Sequence, residues 1–152
     1  MMYKTHLAFS FLIGISLIQV MQPANQILFM LLVLFGSLLP DIDHPDSKIG
    51  NNIKIISFLF EHRGFFHSLF FVFILFLAFM SFHSYFRGIY STAFIVGYFS
   101  HLVADSFTKE GIMLLHPLTK RRVRGFINTG GFFERVMFLF LVFFDIWVLI
   151  KF

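Results

Sequence analysis

Histidine and aspartate recur in this chain in four short clusters. They are Thr5-His6, the stretch Pro40-Asp41-Ile42-Asp43-His44-Pro45-Asp46-Ser47, the stretch His62-Arg63-Gly64-Phe65-Phe66-His67-Ser68, and His101-Leu102-Val103-Ala104-Asp105. Imidazole nitrogens and carboxylate oxygens are donors for divalent metals, and the absence of cysteine removes thiolates as an alternative. Any metal here must be held by nitrogen and oxygen alone.

Each cluster also has a plainer reading. His101 and Asp105 are four residues apart and share one helix face, as metal ligands would, but a hydrogen-bonded pair that steadies a helix end has the same spacing. Asp41 and Asp43 point to one side if their stretch is extended, with Pro40 and Pro45 keeping it out of regular helix. A solvated acidic loop would look alike, although carboxylates beside a helix C-terminus are electrostatically unfavourable without a cation. His62 and His67, five apart, reach a common centre only if the chain turns between them, which Gly64 allows. His6 follows Thr5, a candidate N-cap, and proves nothing alone.

The elements that carry these groups are apolar. Hydrophobic residues make up 58% of the 152, phenylalanine occurs 26 times and mean hydropathy is +0.83. Charged residues are 13%, about half the usual share in soluble domains. A soluble protein of this size could not cover so much apolar surface, so lipid is the expected solvent. Five apolar segments, roughly 7–21, 27–39, 65–82, 89–103 and 136–150, predict an all-α membrane bundle forming one domain over 1–152. Turn signals separate them at Gln22-Pro23-Ala24-Asn25, Arg87-Gly88 and Asn128-Thr129-Gly130-Gly131. The first reads as an uncleaved span, since no small-x-small cleavage site follows it. Segment 27–39 is too short to span, at about 20 Å of helix against ~30 Å of hydrocarbon. It is either a buried core element or a helix ended by Pro40-Asp41 below the membrane surface, which would recess the acidic cluster in a protein-lined cavity.

In up-and-down order all four clusters reach the same side of the bilayer. That side also receives ten of the twelve Lys and Arg, leaving only Arg87 and Lys151 opposite, so the positive-inside rule makes it cytoplasmic. Six of the seven histidines, all but His83, map there too. Ionisable groups near lipid are costly unless paired or metal-bound, and this shared placement favours a metal site over four unrelated clusters. One or more Zn²⁺ or similar divalent ions would suit the donors, acidify bound water and polarise a phosphoryl or acyl oxygen. Arg63 would steady an anionic substrate or developing charge.

The ordered set His6, GSLLPDIDHPDS (36–47), HRGFFHS (62–68) and GYFSHLVADSFTKEG (97–111) resembles the YdjM-like family of membrane-bound, predicted metal-dependent hydrolases. The resemblance covers nearly the whole chain, and its motifs are specific in combination. The family is regarded as distantly similar to zinc-dependent phospholipase C and to zinc nucleases, all-helical proteins with multinuclear zinc sites. By motif position the resemblance implies His6, Asp41, Asp43, His62, His67, His101 and Asp105 as metal ligands. Arg63 and Asp43 are the catalytic candidates. His44 is a weaker ligand candidate, and His116 departs from the aromatic expected before Pro117. Some members are linked instead to transcriptional regulation, including binding of the SOS repressor.

Asp145, deep in the last apolar segment, reads as a polar contact within the bundle or a partner for Arg87, and His83 as interfacial. The run Lys120-Arg121-Arg122-Val123-Arg124 is expected to attract anionic lipid headgroups, not nucleic acid, since no aromatic alternates with its charges. Three functions compete. The leading one is hydrolysis of an ester, above all a phosphoester of an amphiphilic anionic substrate. The second is a non-catalytic regulator whose metal organises a docking surface for a soluble protein. Transport of divalent cations is third, because the opposite side offers few ionisable partners for an exit path, His83, Arg87 and Asp145 at most.

Overall fold

The computed structural model describes residues 1–43, 64–81 and 88–151, with the side chains of Ile42 and Asp43 left undescribed. Five helices occur among these residues: α1 (Tyr3–Met21), α2 (Gln26–Leu38), α3 (Leu69–Ser81), α4 (Gly88–Ser106) and α5 (Phe132–Lys151). They match the five apolar segments in order. Among them α1 is long and apolar enough to cross a membrane by length and composition, while α2 and α3 are shorter, at 13 residues each.

The turn residues act as their chemistry requires. Gln22 adopts φ 45°, and its N–H closes α1 onto the Ile18 carbonyl before Pro23. Asn25 caps α2 by accepting from the Leu28 N–H at 2.9 Å. At the start of α1 the expectation for Thr5 fails: the helix begins two residues earlier, with Met2 at the cap position and no side-chain cap. Thr5 therefore sits inside the first turn, where its N–H bonds the Met2 carbonyl.

Helix α2 lies between α1 and α4, with α3 against α4 and α5 against α1. Phe29 and Val33 of α2 are fully buried with Ile18 and Ala93, while Ile27, Leu31 and Phe35 on its other side are exposed. The short second segment is thus a packed core element with one apolar outward face. Outward Leu139, Phe140, Phe143 and Trp147 on α5 continue the apolar exterior, as expected where the surroundings are lipid.

Two glycines set how closely α2 and α4 approach. A Cβ on Gly36 would lie 2.2 Å from the Phe94 carbonyl oxygen, and one on Gly97 would lie 1.9 Å from that of Val33. Small residues let membrane helices meet backbone to backbone in this way. Gly97→Ala meets backbone, which cannot rotate aside, and is expected to destabilise the protein by about 3 kcal/mol. Thermal unfolding in detergent checks this, and an unchanged midpoint would mean that the seam is looser than described.

Candidate metal centre

Three helices and two short turns deliver the polar groups. After α2 the chain tightens into a 3₁₀ turn, Leu39–Asp43, which places Asp41 at its centre. The expected extended stretch is not formed there, because the fixed φ of Pro40 is compatible with 3₁₀ geometry.

His67 is held by a hydrogen-bonded turn at the entrance of α3. Its N–H bonds the Gly64 carbonyl at 3.1 Å, and Ser68 caps α3 by accepting from the Phe71 N–H at 3.2 Å. The Tyr98 hydroxyl donates to the Phe66 carbonyl, and the Leu69 N–H reaches the Leu114 carbonyl at 2.9 Å. His101 and Asp105 share one face of α4 near its end.

These elements bring Asp41, His67, His101 and Asp105 together, with one ligand atom of each within 4.8 Å of all the others. His67 Nε2 lies 3.8 Å from Asp41 Oδ1 and 3.9 Å from Asp105 Oδ2. His101 Nε2 lies 3.6 Å and 3.8 Å from the same two oxygens. Such separations are too long for direct hydrogen bonds. They are close to the edge of a tetrahedron with ~2.1 Å metal bonds, which is about 3.4 Å.

The protonation pattern points the same way. His101 Nδ1 lies 2.7 Å from the Ser37 carbonyl oxygen, which can only accept, so Nδ1 carries the proton. In the neutral ring Nε2 is then a bare lone pair. It is fully buried, has no hydrogen-bond partner among the described residues, and faces two carboxylate oxygens. A cation shared among these atoms resolves that repulsion, and a backbone carbonyl orienting a ligand histidine is a usual outer-shell arrangement. Burial raises the pKa of Asp41, but the imidazoles of His67, His101 and His6 around it outweigh this and hold the carboxyl below the usual range. Asp41 is also the one member of the group with appreciable exposure, at 30%.

His6 lies beside this group, not within it. Its ring stacks on His101 at 3.8 Å between centroids, and its Nε2 is 3.3 Å from Asp105 Oδ1. Asp105 thus divides its oxygens: Oδ2 faces His67 and His101, while Oδ1 meets His6 and the Met1 α-amino group. Of the remaining candidates, His44, His62, Arg63, His83, Arg87 and the side chain of Asp43 lie outside the described residues. His116 contributes no donor to the group. Asp145 is buried on α5, facing a groove lined by Lys4, Leu7, Phe11 and Phe138, and its Oδ1 has no partner among the described residues.

Two contributors escaped the sequence reading. Ser37 acts through its carbonyl, which no side-chain pattern reveals. Glu134 is fully buried, and its two oxygens accept from the Met2 and Gly130 N–H groups, each at 2.6 Å. A glutamate three residues into a helix that follows Gly-Gly was the available signal, since that position reaches back to free N–H groups.

A family model described as YdjM inner membrane protein matches residues 1–150. The Bacillus subtilis (strain 168) protein YvsG is 40% identical over 107 residues, covering 67% of this chain and 66% of that protein. The inner membrane protein YdjM of Escherichia coli (strain K12) is 36% identical over 122 residues, covering 73% of this chain and 61% of its own length. The Shigella flexneri inner membrane protein YdjM matches over the same extent. The chain thus spans less than two thirds of the length of these relatives. No solved structure matches.

Proposed function

Because the chain belongs to the YdjM family of inner membrane proteins, we propose that it is a membrane-bound, metal-dependent hydrolase acting on a phosphoester from the cytoplasmic side of the bilayer. The observation that supports this reading is the buried Asp41, His67, His101 and Asp105 group, in which His101 turns a lone pair toward two carboxylates. When bound there, a divalent ion such as Zn²⁺ supplies a Lewis acid and lowers the pKa of water. The donor set, two imidazoles and two carboxylates, suits zinc as well as the harder divalents.

The chain's own residues do the rest. Ser37 fixes the His101 tautomer, and the helical spacing of His101 and Asp105 presents both to one centre. The exposed edge of Asp41 gives a phosphoester a route to the group. Arg63, four residues before His67, holds an anionic phosphoryl oxygen through its planar fork. The ten-to-two division of Lys and Arg supports a cytoplasmic mouth and N-terminus.

The test is metal content of detergent-purified protein together with turnover of a generic phosphodiester. One or more divalent ions per chain, and turnover abolished by chelation, are expected. Arg63→Lys keeps the charge but loses the two-pronged hydrogen bond, so it should slow turnover about 10- to 100-fold while leaving metal content unchanged. Fully metallated protein that hydrolyses no phosphoester or carboxylic ester would leave docking of a soluble partner as the better account.

A further inference from the structure

Between α4 and α5 the chain forms a strap, residues 107–131, that is rigid at its base and unlike its surroundings at its tip. Ile112 and Val123 exchange backbone hydrogen bonds at 3.1 and 2.9 Å, forming an antiparallel bridge. Below it, Lys109 N–H bonds the Ile127 carbonyl, Gly125 N–H that of Thr108 and Ile127 N–H that of Phe107, all at 2.9–3.0 Å. Gly111 allows the close pairing: it adopts φ 63°, and a Cβ there would lie 2.2 Å from the Val123 oxygen. Within the strap, Thr108, Ile112, Met113 and Ile127 are buried.

The outer surface of the strap carries large apolar side chains that stand exposed among the described residues. Leu118 is 88% exposed and Phe126 71%, and Phe132 and Phe133, where α5 begins, are 76% and 70% exposed. Lys120, Arg121 and Arg124 are exposed in the same stretch, and Arg135 lies one turn into α5. Exposed leucine and phenylalanine among cations are what a surface needs to enter the headgroup boundary of an anionic leaflet: apolar groups bury in the acyl boundary while the cations pair with phosphates. A soluble partner of opposite charge would satisfy the cations, but it would not require phenylalanines to continue straight into a membrane helix.

We propose that the strap is a leaflet-docking element, with Leu118 and Phe126 inserted at the headgroup level of an anionic bilayer beside Lys120, Arg121, Arg122 and Arg124. Its consequence for the site is direct. The Asp105 carbonyl accepts from both the N–H and the hydroxyl of Thr108, at 3.0 and 2.7 Å, and the Leu114 carbonyl accepts from Leu69, next to the His67 turn. The docked strap therefore sets the depth of the metal group relative to lipid phosphates. This step deepens the phosphoester reading by naming the lipid surface as the source of substrate, but the docking itself does not depend on catalysis.

The experiment uses the full chain in nanodiscs and needs no turnover. Trp147 is the sole tryptophan, so Leu118→Trp in a Trp147→Phe background reports on the tip alone. Phospholipids brominated near the top of the acyl chain are expected to quench this emission severalfold more in bilayers containing phosphatidylglycerol than in purely zwitterionic ones. Replacing Lys120, Arg121, Arg122 and Arg124 together with Gln should remove the difference. Phe126→Trp, read in the same background, gives an independent second position. Emission at both positions that stays water-exposed and unquenched in either bilayer would overturn the proposal, as would protection appearing only when nucleic acid or a soluble protein is added.

Discussion

An Asp105→Ala protein is expected to lose metal and turnover together. Asp105 Oδ2 faces both His67 and His101, while Oδ1 meets His6 and the Met1 α-amino group, so no other carboxylate among the described residues serves as many neighbours in the group. Even outer-shell partners of metal ligands typically change affinity by about 10–100-fold, so loss of this carboxylate should exceed about 100-fold. His67→Ala should act in the same direction. Metal content after dialysis against a weak chelator, measured beside turnover, decides the matter. His116→Ala serves as a control, because His116 lies outside the group. Full metal occupancy in the Asp105→Ala protein would remove this aspartate from the site and with it the proposed chemistry.

Glu134→Ala should give a loss of stability away from the metal group as large as that expected at Gly97. Its carboxylate accepts the Met2 and Gly130 N–H groups from a fully buried position. Removing it strands two donors, each worth about 1–3 kcal/mol, for a total of about 3 kcal/mol. For a chain of this size that is a drop of about 6–12 °C in unfolding midpoint. Glu134→Gln, which keeps one carbonyl oxygen as acceptor, should lose about half as much. A midpoint within a degree of the parent in Glu134→Ala would show that water satisfies both donors and that the contact does not tie the start of α1 to α5.

What was legible in the sequence followed from chemistry that side chains announce. The apolar runs gave the five helices and their order, and the convergence of Asp41, His67, His101 and Asp105 followed from counting those helices. Local backbone form was harder to read. Pro40 forbids continued α-helix but admits both extended chain and a 3₁₀ turn, and packing of α2 against α4 selected the second. Thr5 had the right chemistry for a cap, yet the helix starts earlier, where the Met2 carbonyl accepts from both Thr5 and His6 and Glu134 binds the Met2 N–H. Ser37 was invisible for a simpler reason: the atom that matters is its carbonyl oxygen, common to every residue, and its role depends on an imidazole 64 positions away.

That separation also fixes the order of events during synthesis. Asp41 leaves the ribosome long before His67, and His101 and Asp105 come last, on a helix that must insert beside α2 before Ser37 can meet its imidazole. Translation at roughly 5–20 residues per second puts several seconds between the first donor and the last. Over that interval the group is incomplete, and a partial set of donors is weakly selective among the abundant divalents of the cell. His67 follows Asp41, and His101 and Asp105 join only when α4 docks. The chain therefore chooses its ion late, after insertion, and the choice belongs to the assembled bundle and not to any nascent fragment of it.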